Sequence, residues 1–87
     1  MTGVARVGDV AGGAIINGAT TVTADGIPVA QLGSAVSPHG PPPHSGNVIV
    51  VGSGTVYAEG IPIARLGDAA SCGDVIAVAS TTVIAGD

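Results

Sequence analysis

Aromatic residues are almost missing from this chain: Tyr57 stands alone, there is no Phe or Trp, and Leu32 and Leu66 are the only leucines. The bulky core fillers and strong helix formers that build helical bundles are therefore lacking, which excludes that class. Lysine is absent, and Arg6 and Arg65 are outnumbered by six acidic residues for a formal net charge of −4. Gripping nucleic acid takes a basic footprint, so no nucleic-acid partner is expected. With one cysteine, Cys72, an intramolecular disulfide is impossible. Mean hydropathy is high at +0.62, but the apolar residues come in short runs such as Val48-Ile49-Val50-Val51. None approaches the roughly 18 apolar residues of a membrane-spanning helix. The N-terminus, Met1 to Arg6, has no basic stretch followed by an apolar run, so no secretory signal and synthesis in the cytoplasm are expected.

What is present is glycine, 15 in 87 residues, together with 6 prolines. A chain of this length makes a single domain, expected over 1–87 with no extension domain. Its core is small, so a metal, a partner or self-association is expected to reinforce it. Internal similarity is strong: residues 15–34 and 49–68 align without gaps at an offset of 34. Ile15, Gly18, Thr21, Val22, Ala24, Gly26, Ile27, Pro28, Ala30, Leu32 and Gly33 recur as Ile49, Gly52, Thr55, Val56, Ala58, Gly60, Ile61, Pro62, Ala64, Leu66 and Gly67. A partial third copy emerges when units start at Ala5-Arg6-Val7-Gly8-Asp9, Ala30-Gln31-Leu32-Gly33-Ser34 and Ala64-Arg65-Leu66-Gly67-Asp68, giving units over approximately 5–29, 30–63 and 64–87.

Within each unit β-branched residues dominate in short pieces bounded by Gly or Asp, which predicts an all-β fold with little or no helix. Strands are expected at the pairs Thr21-Val22, Thr55-Val56 and Thr82-Val83. Asp25-Gly26 and Glu59-Gly60 fit tight hairpin turns with positive φ. Pro28 and Pro62, which cannot donate to a ladder, are expected at strand edges. Arg6 and Arg65 hold equivalent places beside Gly-Asp, where they either orient turns through Asp9 and Asp68 or contact a partner.

The units differ in one loop, about five residues in the first (Val10 to Ala14), about seven in the third (Ala69 to Val75) and fourteen in the second (Ala35 to Val48). The long loop holds both histidines, His39 and His44, on either side of Pro41-Pro42-Pro43. Consecutive prolines fix an extended path, so the imidazoles lose little further entropy on being held. If three like units surround a pseudo-threefold axis, their loops converge at one end and bring His39, His44 and Cys72 together. Two imidazoles and a thiolate suit zinc, with Asp9, Asp74 or water as candidates for the fourth position. The alternative is a packing role for Cys72 and solvated histidines.

The stretches Gly18-x-x-Thr21-Val22-x-x-Asp25-Gly26-Ile27-Pro28-x-Ala30 and Gly52-Ser53-x-Thr55-Val56-x-x-Glu59-Gly60-Ile61-Pro62-Ile63-Ala64-Arg65-Leu66-Gly67-Asp68 resemble the PAAR-repeat family. The family's Pro-Ala-Ala-Arg appears as Pro62-Ile63-Ala64-Arg65 and, more loosely, as Pro28-Val29-Ala30-Gln31. The resemblance implies a small cone-shaped pseudo-threefold β-hairpin fold and no enzymatic activity. It implies a tip that sharpens a trimeric β-helical spike, VgrG-like or the central spike of a phage tail, in type VI secretion systems and related machines. One copy per trimer and transient contact with a target membrane follow from that role. Members hold one structural zinc with three histidines and a cysteine; His39, His44 and Cys72 match, while Gly8-Asp9-Val10-Ala11 carries no histidine in the first loop.

The same residues bear on functions of two other classes. A small zinc-dependent hydrolase or deaminase needs a general acid/base beside the metal. The only glutamate, Glu59, falls at a hairpin turn, and neither H-x-E nor C-x-x-C occurs. A free-standing self-assembling β module predicts homo-oligomers without any spike.

Overall fold

The computed structural model of the chain describes residues 2–38, 40 and 46–85. Among them there is no helix, and ten two-residue strands pair two by two. In chain order these are β1 Thr2–Gly3, β2 Val10–Ala11, β3 Gly13–Ala14, β4 Thr23–Ala24, β5 Ile27–Pro28, β6 Ala35–Val36, β7 Asn47–Val48, β8 Tyr57–Ala58, β9 Ile61–Pro62 and β10 Ile84–Ala85. The pairs β2–β3, β4–β5, β6–β7 and β8–β9 are hairpins between neighbours, whereas β1 pairs with β10. All are antiparallel. The all-β expectation holds, with hairpins as the repeating unit.

The hairpins β4–β5 and β8–β9 turn at the expected dipeptides. Asp25 and Gly26 have φ of 57° and 77°, and Glu59 and Gly60 have φ of 56° and 79°. Positive φ at both central residues makes the type I′ geometry whose twist matches the flanking strands. The third hairpin of the set is discontinuous: β10 takes the place of β4 and β8, and β1 that of β5 and β9, with Thr2 opposite Ala85. Pro28 and Pro62 end their strands, and their carbonyls accept from Val7 N and Leu32 N at 2.9 Å each, as Gly3 O accepts from Leu66 N at 2.9 Å.

The Thr-Val pairs depart from expectation. Strands begin two residues after each threonine, at Thr23, Tyr57 and Ile84, and Thr21, Thr55 and Thr82 lie in the turn that leads into each. The reason is local. A threonine hydroxyl offers the turn a hydrogen-bonding alternative to the ladder, and those of Thr21 and Thr82 donate to carboxylates in other repeats, as described below.

The three units close into a ring. Ala5 N donates to Ala64 O at 3.0 Å, Ala64 N to Ala30 O at 2.9 Å, and Ala30 N to Ala5 O at 2.8 Å. Three equivalent residues thus exchange three backbone bonds around one axis, which only alanine-sized side chains allow at such closeness; all three are fully buried. A second circuit lies further out, with Ile16 N on Ala35 O, Val50 N on Ala69 O and Ala77 N on Val10 O, at 2.8 to 2.9 Å.

Two apolar clusters fill the interior. One joins the equivalents Ile15, Ile49 and Ile76 with Ala5, Ala30 and Ala64 and, from the loop side, Ala11, Val36 and Ala70, with Cys72 packed against it. The other, on the hairpin side, gathers Val4, Val29 and Ile63 with Ala24, Ala58 and Ala85. The described residues span 33 × 23 × 21 Å, an elongated body with loops at one end and hairpins at the other.

Candidate functional site

The loop end is where the sequence places the metal-binding chemistry. Val10 pairs with Ala14, Ala35 with Val48, and Ala69 with Val75, so the three loops leave the body at equivalent points. They also brace one another: Ile15 bridges to Val36 and Ile49 to Ala70. Cys72, half-buried on the third loop, places its Sγ 3.5 Å from Asp74 Oδ2, a contact in which the thiol donates. Across from it, Val48 N donates to Ser71 Oγ at 3.2 Å and Ser71 Oγ donates to Asn47 Oδ1 at 3.1 Å. Asn47 is buried, and its Nδ2 has no hydrogen-bond partner among the described residues. His39 and His44 lie outside the described residues. Among the described residues no three His, Cys, Asp or Glu side chains gather in a ligand-like group, and no cavity is found.

The two carboxylates proposed beside the thiol differ in their surroundings. Asp9 is buried and its oxygens are taken by Arg6: Oδ2 accepts from Arg6 N at 2.8 Å and from Nε at 2.9 Å, and Oδ1 accepts from Nη2 at 2.9 Å. Asp74 is the one next to Cys72.

Arg65 repeats the Arg6 arrangement on Asp68, with N and Nε on Oδ2 at 2.7 and 3.1 Å and Nη2 on Oδ1 at 2.9 Å. In the second unit Gln31 and Ser34 replace the pair, and Gln31 N donates to Ser34 Oγ at 2.8 Å. Each arginine thereby locks its own turn, the first of the two roles its place suggested.

Sequence reasoning missed a set of carboxylates at the opposite end. Glu59, at the tip of β8–β9, reaches the first repeat, where its Oε2 accepts from Thr20 N and Thr21 N at 2.9 and 2.8 Å and from their hydroxyls at 3.1 and 2.6 Å. Asp25, at the tip of β4–β5, reaches the third: Ser80 Oγ donates to Oδ2 at 2.6 Å and Thr82 Oγ1 donates to Oδ1. Arg6 Nη1 adds a bond to Asp25 Oδ2 at 3.0 Å. The signal was present as acids and Thr pairs at matching repeat positions, but each contact joins residues from different repeats.

These bonds favour ionised carboxyls. The Ser80 and Thr82 hydroxyls, followed by Arg6, hold the Asp25 carboxyl below its ordinary range. The Thr21 hydroxyl and amide, followed by Thr20, do the same for Glu59. A carboxyl with a lower pKa in the folded state adds stability above its unfolded pKa, and that stability is lost as pH falls through the folded value. The urea midpoint is therefore expected to be level from about pH 7 to about pH 5 and to fall below about pH 4, the ordinary carboxylate range. The fall should be shallower in Asp25→Asn and Glu59→Gln, and an identical profile in all three proteins would show that the contacts do not form in solution.

No helix among the described residues is long and apolar enough to cross a membrane. No curated protein matches the chain at a significant level. The family profile described as PAAR motif matches residues 9–78 of the 87, a span that takes in all three loops and both continuous hairpins at the opposite end. The chain therefore belongs to the PAAR-motif family, whose place is the spike tip of contractile injection systems.

Proposed function

We propose that this chain caps and sharpens the end of a trimeric β-helical spike, VgrG-like or of a phage tail, one copy per trimer, and leads it through the target envelope. The observation that carries this reading is the closed ring through Ala5, Ala30 and Ala64. It gives one polypeptide three like faces, the match a threefold partner requires. The docking end in this reading is the hairpin end, which exposes Val22, Tyr57, Ile61, Val83 and Ile84. An apolar rim of this kind on so small a body suits a partner surface. The loop end then points forward and touches the target membrane in passing.

A zinc ion at that leading end completes the proposal. His39, His44 and Cys72 would hold it, with Asp74 in the fourth position, since Asp74 lies against the thiol while Asp9 is bound up with Arg6. The donors fit a borderline-soft ion that accepts nitrogen, sulfur and oxygen in a tetrahedron. Bound there, zinc supplies a cross-link between the second and third loops, and its binding energy becomes folding energy.

Native mass spectrometry of the chain, prepared without chelator and mixed with a trimeric β-helical spike protein, tests both parts. One chain per trimer and one zinc per chain are expected, with the zinc lost in Cys72→Ala. Failure to bind any such trimer would remove the tip assignment, and a metal-free chain would remove the zinc while leaving the tip.

A further inference from the structure

The hairpin end contains three equivalent turns, Ala19-Thr20-Thr21, Ser53-Gly54-Thr55 and Ser80-Thr81-Thr82. The first and last each hold a carboxylate, Glu59 and Asp25 respectively. We propose that the Ser53-Gly54-Thr55 turn, with the Arg65 guanidinium beside it, is a third carboxylate-binding site.

The middle turn is built as the last one is. Ser80 Oγ accepts from Thr82 N at 3.1 Å and Val83 N at 2.8 Å, while Ser53 Oγ accepts from Thr55 N at 3.1 Å and Val56 N at 2.9 Å. A hydroxyl whose oxygen takes two N–H groups has its one proton left to donate. In the last turn that proton goes to Asp25 Oδ2, and Thr82 supplies the second donor to Oδ1. Ser53 is 2% exposed, so the same cap fixes its hydroxyl direction. Thr55 occupies the place of Thr82.

The cation is equivalent as well. Arg6 clasps Asp9 and reaches on to the carboxylate of Asp25. Arg65 clasps Asp68 with the same three bonds, and its Nη2 also donates to Gly52 O at 3.2 Å, the carbonyl just before Ser53. Because Asp68 already balances the guanidinium charge, the site matches a singly charged carboxylate rather than a dianionic phosphate.

Two sources can supply such a group: Asp87 of this chain, which follows Ala85 by two positions, or an acidic side chain of a partner. NMR on the full chain separates them by following the Thr55 and Val56 amides, with Thr21 and Thr82 as references for the two occupied turns. If the chain fills its own site, Thr55 titrates from about pH 7 to about pH 3 with one carboxylate midpoint, and Asp87→Asn abolishes it. If a partner fills it, Thr55 is level with pH, but sodium acetate shifts both amides saturably, sodium chloride at equal ionic strength does not, and Thr55→Val weakens the acetate response about tenfold. Amides unmoved by pH and by acetate would overturn the proposal. So would a titration of the position-55 amide that persists in both Asp87→Asn and Thr55→Val, because it would then report a carboxylate outside this turn.

Discussion

Ile49→Ala is expected to lower the unfolding free energy by about 2–5 kcal/mol, the usual range for emptying a buried aliphatic site. Ile15, Ile49 and Ile76 are the largest fully buried side chains, each 1% exposed, and they sit at one repeat position around the axis. Their neighbours Ala5, Ala30 and Ala64 are tied by backbone bonds across the ring, so the surroundings are poorly able to collapse into the space left behind. A domain of 87 residues is stable by only about 4–13 kcal/mol at roughly 0.05–0.15 per residue. One truncation therefore removes a large share of the total. Ile49→Val, which leaves a smaller void, should cost about 0.5–1.5 kcal/mol. Urea titrations of the two variants measure both values. A loss below about 1 kcal/mol for the alanine would mean that the centre relaxes freely, and the ring would not be the rigid element described.

Gly18→Ala is the second large effect, and its control lies 34 residues on. A Cβ at Gly18 would sit 2.2 Å from the carbonyl oxygen of Val29, a backbone atom that already accepts from Ala19 N at 2.9 Å. No side-chain movement relieves that contact; the backbone of the first repeat itself must shift. The cost is expected to reach or exceed the upper part of the overpacking range, about 3 kcal/mol. At the equivalent Gly52 the nearest backbone atom is Ile63 O at 3.1 Å, and the third unit carries Ala79 at this place. Gly52→Ala should be close to neutral, since a shift of a few tenths of an ångström is offset by the roughly 0.4–1 kcal/mol that a lost glycine contributes through the unfolded state. Thermal unfolding of the pair decides the matter, and equal losses at both positions would contradict the unequal spacing of the repeats.

Much of this architecture could be read from the residues. Asp25-Gly26 and Glu59-Gly60 announced their hairpins because few sequences satisfy positive φ twice in succession. The loops of about five, seven and fourteen residues coincide with the pairs Val10–Ala14, Ala69–Val75 and Ala35–Val48, since a gapless repeat confines length differences to the segments where alignment fails. What resisted reading was cyclic. Nothing local links Thr2–Gly3 to Ile84–Ala85, or Asp25 to the Ser80-Thr81-Thr82 turn; both contacts exist only because the third unit returns to the first. The Thr-Val pairs resisted for a related cause, since the Thr21 and Thr82 hydroxyls serve carboxylates of another repeat. At the loop end the residues left Asp9 and Asp74 as equal candidates beside Cys72; the structure puts Asp74 against the thiol and gives Asp9 to Arg6, one of the two roles that arginine's place beside Gly-Asp offers.

The ring through Ala5, Ala30 and Ala64 sets this chain apart from linear repeat arrays. Such arrays need special end units, because their outermost repeats have one neighbour and fray first. Here every unit has two neighbours, and freeing any one of them breaks two of the three central bonds. A body without an outermost repeat offers unravelling one natural start, the β1–β10 seam that no turn of the chain spans, and beyond that seam it should yield as a whole.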